Sequence, residues 1–229
     1  MAKNIKKRSA SHIYFGVNKL TGELKHISEV PSGQKCNCIC AACLQPFEAR
    51  KGTRRRHHFA HVSNYECMYA SEVAIYKAFA EALKQSGFLA LPPVMLRFPA
   101  WHDPELLQEA RRMKIDSVAF ECEPLSYPPL LRVTMQGTPL RILLDFDRYY
   151  DDDDRVELAE EAKAEDYSLL LISMPKIEQD TEFTPDRLQS VLQDNDRTEW
   201  VFSRLEEQWK QKYLSLIHIS EPTRLGMIS

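Results

Sequence analysis

The sequence lacks any long apolar run. Its most apolar stretch, around Leu169 to Met174, has the length of a strand, whereas a membrane helix needs about 18 residues or more. The first residues, MAKNIKKRS, also lack the apolar core of a secretory signal. We therefore expect a cytoplasmic chain that does not enter a membrane and whose six cysteines are not paired in disulfides.

The chain also has little net charge, −3 at pH 7, but this charge is unevenly distributed. Residues 1–61 carry 12 Lys and Arg against 3 Glu, a net +9, which leaves −12 for the other residues. A basic end of this kind can lie along a polyanion, although an ordinary solvated surface can have the same composition. With 229 residues, 44% of them hydrophobic, the chain can form one substantial core and a small appendage.

Cysteine and histidine are concentrated in one segment, since five of the six cysteines and three of the seven histidines fall within residues 36–67. Two cysteines separated by two residues form a knuckle whose thiolates reach one metal ion, and a later His and Cys complete a tetrahedron, which is typical of Zn²⁺. A redox dithiol is the alternative for such a pair, but its flanks are turn-like. The predicted ligands are Cys40, Cys43, His61 and Cys67, with Cys38 and His58 as alternates and Cys36 and His57 as further candidates.

A run of basic residues lies inside the same segment, between the CxxC pair and the histidines. Lysine and arginine side chains neutralise phosphates, so the run predicts contacts with a nucleic-acid backbone, and DNA is the expected partner. The predicted contact residues are Lys51, Arg54, Arg55 and Arg56.

The hydrophobic pattern outside this segment predicts a mixture of helices and strands. A β-hairpin with Gly22 in its turn precedes the cysteines, and a helix begins after Ser71 as N-cap and stops at Gly87. A helix is also predicted for residues 104–112. The later elements are predicted strands at 114–122, 130–135, 139–146 and 167–173 and predicted helices at 152–166, 184–192 and 198–213.

Several short motifs together resemble the competence protein CoiA-like family. They are GlyGlu at 22–23, SerGluVal at 28–30, CxxC at 40–43, AlaArgLysGly at 49–52, HisHisPheAlaHis at 57–61, GluCys at 66–67 and the SerGluValAlaIleTyrLys helix. That family joins a zinc-binding segment to a PD-(D/E)xK nuclease domain. The resemblance covers about residues 20–175, and it implies a zinc-binding β segment at 1–70 and a restriction-endonuclease-like α/β core at 71–213.

The resemblance also implies a set of catalytic residues. PD-(D/E)xK enzymes place one Asp at the start of a strand and a second acid, followed two residues later by Lys, on the next strand, and these acids hold Mg²⁺. Asp116 and Asp145 match the two acids, whereas Asp147 stands in the place of the usual Lys. Lys114 could supply the missing cation and Glu72 a further metal ligand. Alternatively, Asp145 and Asp147 are solvated residues at the end of a strand.

Two functions therefore follow from the sequence. The first is a CoiA-like DNA-processing protein that acts as a Mg²⁺-dependent nuclease with a zinc-stapled DNA-contacting segment. The second is a catalytically inactive zinc-containing module that binds nucleic acid. The sequence is equally compatible with a role in competence, defence or repair and with a single- or double-stranded substrate. It does not indicate an oligomeric state.

The last residues do not fit this pattern. LeuSerLeuIleHisIleSerGluProThrArg, at 214–224, resembles a translated adapter of the transposase type that is used to prepare sequencing libraries. We therefore expect residues 214–229 to be non-native, and no function is assigned to them.

Overall fold

The computed structural model describes residues 12–63, 67–98, 103–124, 127–146, 150–175 and 182–220. Within these ranges the chain is a mixed α/β structure with four α-helices and fourteen strands in several sheets. The α/β class predicted from the sequence is therefore confirmed. None of the helices in these ranges is long and apolar enough to cross a membrane.

The first strands form two small sheets around the cysteine segment. They are β1 (Phe15–Asn18), β2 (Leu24–His26), β3 (Cys38–Ile39), β4 (Phe47–Arg50) and β5 (His58–His61). β1 pairs with both β2 and β3, and β4 pairs with β5, all antiparallel. The predicted hairpin is present between β1 and β2, where Gly22 has a φ of 70° and its N–H donates to Asn18 O.

Helix α1 (Ala70–Ser86) is the centre of the main core, since twelve of its seventeen residues are buried. Gly87 ends it in the left-handed conformation, with its N–H donating to Leu83 O, as the sequence predicts. The predicted N-cap is wrong: Ser71 lies inside the helix, and Tyr69 occupies the N-cap position without a capping hydrogen bond from its side chain. The hydroxyl of Ser71 instead donates to His12 O (3.4 Å) and ties the N-terminal strands to α1.

Four short strands follow α1, and the last two of them lie where the sequence predicts a helix at 104–112. They are β6 (Phe88–Leu91), β7 (Val94–Leu96), β8 (Glu105–Gln108) and β9 (Arg111–Lys114). β6 pairs with β9 and β7 with β8, so the predicted helix is wrong. Pairing with the preceding proline-interrupted segment outweighs the local helix propensity of residues 104–112.

The largest sheet carries the second half of the chain. Its strands, in spatial order, are β10 (Ser117–Glu121), β11 (Leu130–Met135), β12 (Thr138–Phe146), β13 (Ser168–Met174) and β14 (Thr198–Phe202). β12 and β13 are parallel, and α2 (Asp152–Ala164) connects them; the other pairs are antiparallel. Gln136 and Gly137, both with positive φ, form the two-residue turn between β11 and β12.

The predicted helix at 198–213 is only half correct. Residues 198–202 form β14 at the edge of the sheet, and α4 (Arg204–Ser220) begins after Ser203, whose hydroxyl accepts a hydrogen bond from the Glu206 N–H. The helix predicted at 184–192 is present as α3 (Pro185–Gln193), with Thr184 as its N-cap.

Helices cover both faces of this sheet. Alternate residues of β12 (Leu140, Ile142, Leu144 and Phe146) are buried together with residues of α1 and α3. Leu143 faces the other way, into a smaller cluster with Leu169, Leu171 and Ala162 of α2. The position of a residue along β12 therefore decides which helical layer its side chain meets.

The phenol of Tyr76 joins α1 to the edge of β12. β11 has no residue paired opposite Leu144, and the Tyr76 hydroxyl takes that place by donating to Leu144 O (3.3 Å) and accepting from Leu144 N–H (2.7 Å). Tyr76 is fully buried, and burial raises the pKa of its phenol well above the usual value. One neutral side chain thus satisfies two main-chain groups in the core.

Candidate metal centre

Four predicted ligands meet at one point in the structure. The Sγ atoms of Cys40, Cys43 and Cys67 and a ring nitrogen of His61 all lie within 4.8 Å of one another. The shortest of these distances recorded is 3.3 Å, between Cys43 Sγ and His61 Nε2. Ligands on a tetrahedral Zn²⁺ ion are about 3.8 Å apart, since Zn–S bonds are about 2.3 Å long. The four residues could therefore hold a metal ion such as zinc.

The turn between β3 and β4 forms the knuckle that presents Cys40 and Cys43. The Leu44 N–H donates to Cys40 O (3.0 Å), and the Cys40 N–H donates to Gln45 O (2.9 Å). Leu44 adopts a left-handed conformation, with a φ of 61°. The Ala42 N–H points at Cys40 Sγ (3.4 Å), and such a donor favours a thiolate. The two-residue spacing thus brings both sulfurs to the same side of one tight turn.

Strand β5 selects His61 rather than the alternate His58. Side chains alternate along a strand, so residues three apart face opposite sides, and only Phe59 and His61 of β5 are buried. The His61 ring lies against Phe47 (4.8 Å between centroids). His58 Nδ1 instead meets Arg56 O (2.9 Å). Phe47 was not predicted from the sequence to lie at this site, although the alternation of apolar and polar residues at 47–50 is typical of a strand with one buried face.

The alternate ligand Cys38 also lies outside the cluster. Its Sγ donates to Cys36 O (3.2 Å), and Cys36 Sγ donates to Phe47 O (3.4 Å). Burial raises the pKa of Cys38 to about 12, so this thiol stays protonated near neutral pH. Cys36 and Cys38 are therefore buried thiols of the small core around the candidate metal centre.

The fourth ligand, Cys67, lies directly before helix α1. The Ala70 N–H donates to Cys67 O (3.3 Å), and the Tyr69 N–H donates to the Cys67 sulfur. The N-terminal end of a helix favours negative charge. A hydrogen bond from Cys40 is the largest cause that lowers the pKa of Cys67 to about 6. Of the three clustered thiols, Cys67 is the one whose pKa is shifted towards the thiolate.

Burial acts on the other three ligands. It raises the pKa of Cys43, and the hydrogen bond to Cys67 together with burial raises that of Cys40. Burial lowers the pKa of His61, which keeps the imidazole neutral, as metal binding requires. A bound cation would replace the protons of Cys40 and Cys43 and compensate for the burial of three thiolates in one site.

The predicted nucleic-acid contacts fall into two groups. Arg54, Arg55 and Arg56 lie in the exposed connection between β4 and β5, on the hairpin that supplies His61. Lys51 has a different role, because its Nζ donates to Ser28 O (3.3 Å) and also to Val30 O. Lys51 therefore ties the hairpin to the preceding segment, whereas the arginines project from its tip.

The two principal predicted acids lie at opposite ends of β12. Asp116 sits between β9 and β10, where its Oδ2 accepts a hydrogen bond from the Gly137 N–H (3.1 Å) at the turn that precedes β12. Asp145 is eight residues further along the chain than Gly137, a distance of about 25 Å along an extended strand. The structure does not bring these two carboxylates to one ion.

The remaining predicted catalytic residues are also separated. Glu72 is buried on α1, whereas Asp145, buried next to Ser173 of β13, belongs by alternation to the α2 face of the sheet. Lys114 is exposed on β9, and a bend at Asp116 separates it from β10, so the predicted strand 114–122 is in fact two strands. Asp147 lies outside the described residues.

No acidic cluster replaces this predicted site in the described part of the chain. There, the Cys40, Cys43, His61 and Cys67 group is the one set of three or more His, Cys, Asp or Glu residues close enough to hold a metal ion. Comparisons of the chain with family models, curated proteins and solved structures gave no match.

Proposed function

We propose that this chain is a zinc-containing nucleic-acid-binding protein of the CoiA-like kind, in which the metal holds a basic hairpin against the α/β core. One observation carries the proposal: the ligands come from the knuckle, from β5 and from the residue before α1, and β5 belongs to the hairpin with the exposed arginines. A metal bound there connects the arginine-bearing hairpin to the helix at the centre of the core.

The donor set favours zinc in a structural role. Three thiolates and one imidazole are soft and borderline ligands of the kind that Zn²⁺ takes in tetrahedral sites. Four protein ligands fill such a site and leave no position for a substrate, so the metal would stabilise the fold rather than catalyse a reaction. The ion would hold together a segment whose own hydrophobic core is small.

The arginines at the hairpin tip support DNA as the partner. They are exposed, they lie next to one another, and the first 61 residues have a net charge of +9. Guanidinium groups bind phosphate oxygens with two parallel hydrogen bonds, and binding releases the counterions that surround DNA. Such contacts depend on salt and not on sequence, so we propose a non-specific interaction with the phosphate backbone.

Replacement of Arg54, Arg55 and Arg56 by glutamine tests this role. If each arginine neutralises one phosphate, the triple variant should bind duplex DNA roughly 100-fold more weakly at 0.1 M salt, and the slope of log K against log [salt] should become shallower by about 2.7. Fluorescence anisotropy with a labelled duplex at several salt concentrations measures both quantities.

A variant with the same change in net charge provides the control. In this control, glutamine replaces Lys84, Arg187 and Arg197, which contact Glu81, Phe183 and Asp194, respectively. The slope of log K against log [salt] should stay nearly unchanged. If the wild-type protein and the hairpin variant have equal slopes, the three arginines do not contact phosphates and form an ordinary solvated surface.

A Mg²⁺-dependent nuclease is the second candidate function. The order of elements supports it, because α1, the antiparallel strands β10, β11 and β12, helix α2 and the parallel strand β13 follow one another as the CoiA-like resemblance implies. A buried carboxylate at the end of β12, Asp145, is also typical of such enzymes. The distance between Asp116 and Asp145 speaks against it.

The nuclease candidate predicts Mg²⁺-dependent cleavage that depends on only one of these two acids. Asp145→Asn should reduce the rate of cleavage of labelled DNA at least about 100-fold, because it removes a metal ligand and keeps the shape of the side chain. Asp116→Asn is the matched control and should retain the rate, since Asp116 meets the turn at Gly137. If the wild-type protein cleaves no DNA with Mg²⁺ or Mn²⁺, the nuclease candidate fails and nucleic-acid binding remains as the proposed function.

A further inference from the structure

The β6–β9 ribbon has one exposed face that combines an aromatic ring with cations. In the antiparallel register Phe88 is directly opposite Lys114, and Ala90 is opposite Arg112. Residues that are opposite each other, or two apart on one strand, share a face, so Phe88, Arg112 and Lys114 lie together. Leu89 and Met113 are buried on the other face and attach the ribbon to the core.

The three residues of this face form one continuous surface. The Arg112 guanidinium lies 4.8 Å from the centroid of the Phe88 ring, while 40% of Phe88 remains exposed. We define Phe88, Arg112 and Lys114 as the ribbon face.

Charge at the ribbon face favours an anionic partner. Arg112 and Lys114 form no ion pair with another described residue. The nearest acids along the chain are Glu109, which is exposed, and Asp116, which accepts a hydrogen bond from the Gly137 N–H. Arg112 and Lys114 therefore place two positive charges beside an exposed ring.

A second exposed aromatic residue in the chain shows what is special about this face. Trp209 on α4 is 42% exposed and has the Lys212 ammonium 4.8 Å from its ring, so the pair resembles Phe88 and Arg112. Its helix, however, also carries Glu206 and Glu207, which pair with Lys210 and Lys163. Pairing with these acids reduces the positive charge beside Trp209, whereas Arg112 and Lys114 on the ribbon face form no ion pair with another described residue.

We propose that the ribbon face binds single-stranded nucleic acid, with a base stacked on Phe88 and its neighbouring phosphates held by Arg112 and Lys114. Only an unpaired base can lie flat on an exposed ring, since bases in a duplex stack on one another. The inference rests on the proposed nucleic-acid-binding function and adds a substrate class to it: single strands contact both the hairpin tip and the ribbon face, whereas duplexes contact the tip alone.

The test compares one labelled oligothymidylate of about 20 nucleotides, long enough for a typical single-strand site, with a duplex of equal length. Phe88→Leu should weaken single-strand binding about tenfold, in the range known for loss of one stacked base, and leave duplex binding unchanged. Phe88→Trp should bind the single strand about as well as the wild-type protein does, because tryptophan also offers a ring on which a base can stack. Arg112→Gln with Lys114→Gln should make the single-strand salt slope shallower by about 1.4.

Trp209→Leu with Lys212→Gln is the matched control and should change neither affinity. The thermal midpoint and metal content of each variant show that it is folded. Equal losses for single strand and duplex in Phe88→Leu, or no loss in either, would overturn the ribbon face while the hairpin tip stands. A wild-type protein that binds neither probe would overturn the proposed function as well.

Discussion

Cys43→Ser is expected to reduce the metal content from about one zinc ion per chain to nearly none and to expose residues 36–67 to protease. Serine is a poor zinc ligand, so only three ligands of the tetrahedral site would remain. Because metal binding is coupled to folding of a small segment, its local opening should become at least about tenfold more frequent. Metal analysis and limited proteolysis measure the two effects.

Cys36→Ser separates loss of a ligand from loss of a buried thiol. Cys36 lies in the same small core, but its Sγ donates to Phe47 O, and a serine hydroxyl can donate there as well. This variant should keep its zinc and its protease resistance. A wild-type chain purified without metal, and as resistant to protease as the metal-loaded form, would contradict the structural role of the centre.

Tyr76→Phe is expected to have the largest effect on the α/β core. The substitution leaves the Leu144 N–H and C=O without their buried partner, and each unsatisfied group costs about 1–3 kcal/mol. A loss of about 3 kcal/mol lowers the melting temperature of a chain of this size by roughly 6–12 °C. Calorimetry of both proteins at the same metal content measures the difference.

Tyr213→Phe is the corresponding control. Tyr213 is 43% exposed on α4, where water can hydrogen-bond to its phenol, so the melting temperature should stay within about 2 °C of the wild-type value. If Tyr76→Phe is equally mild, the hydroxyl contributes nothing at the edge of β12, and α1 is held there by apolar packing alone.

The cluster of Cys40, Cys43, His61 and Cys67 could be predicted from the sequence because its geometry is local. The CxxC spacing fits one tight turn, and the four ligands lie within 28 consecutive residues. The choice between His58 and His61 needed one further fact, that residues 58–61 form a strand in which only Phe59 and His61 face inward. The pattern of histidines alone did not show which side of β5 would be buried.

The errors in the fold occur where partners far apart in the sequence decide the local structure. Residues 104–112 contain Glu, Leu, Gln, Ala and Arg, all good helix formers, yet they pair with β6 and β7. Residues 198–202 continue into a real helix, but Trp200 and Phe202 pair with β13. In both cases the strand partner lies outside any local window, so local periodicity could not detect it.

The predicted carboxylate site required a distance that sequence motifs do not contain. Asp116 and Asp145 occur in the expected order and near the expected strands, but β11 lies between β10 and β12 in the sheet. Because β10 and β12 are both antiparallel to β11, they run in the same direction, and Asp116 at the start of β10 lies beside the turn at Gly137 and not beside the end of β12. Asp116 and Asp145 match the two acids of the motif by residue type, but the direction of the strands separates them.

Strand β14 also determines how the chain can be shortened. β13 is apolar along nearly its whole length, and β14 occupies its outer edge. Without β14, a row of main-chain donors and acceptors beside leucine and isoleucine side chains would be open to strands of other molecules, which is how sheets aggregate. Any truncated version of this protein must therefore extend at least to Phe202, because residues 198–202 cover the edge of β13 and prevent it from pairing with strands of other molecules.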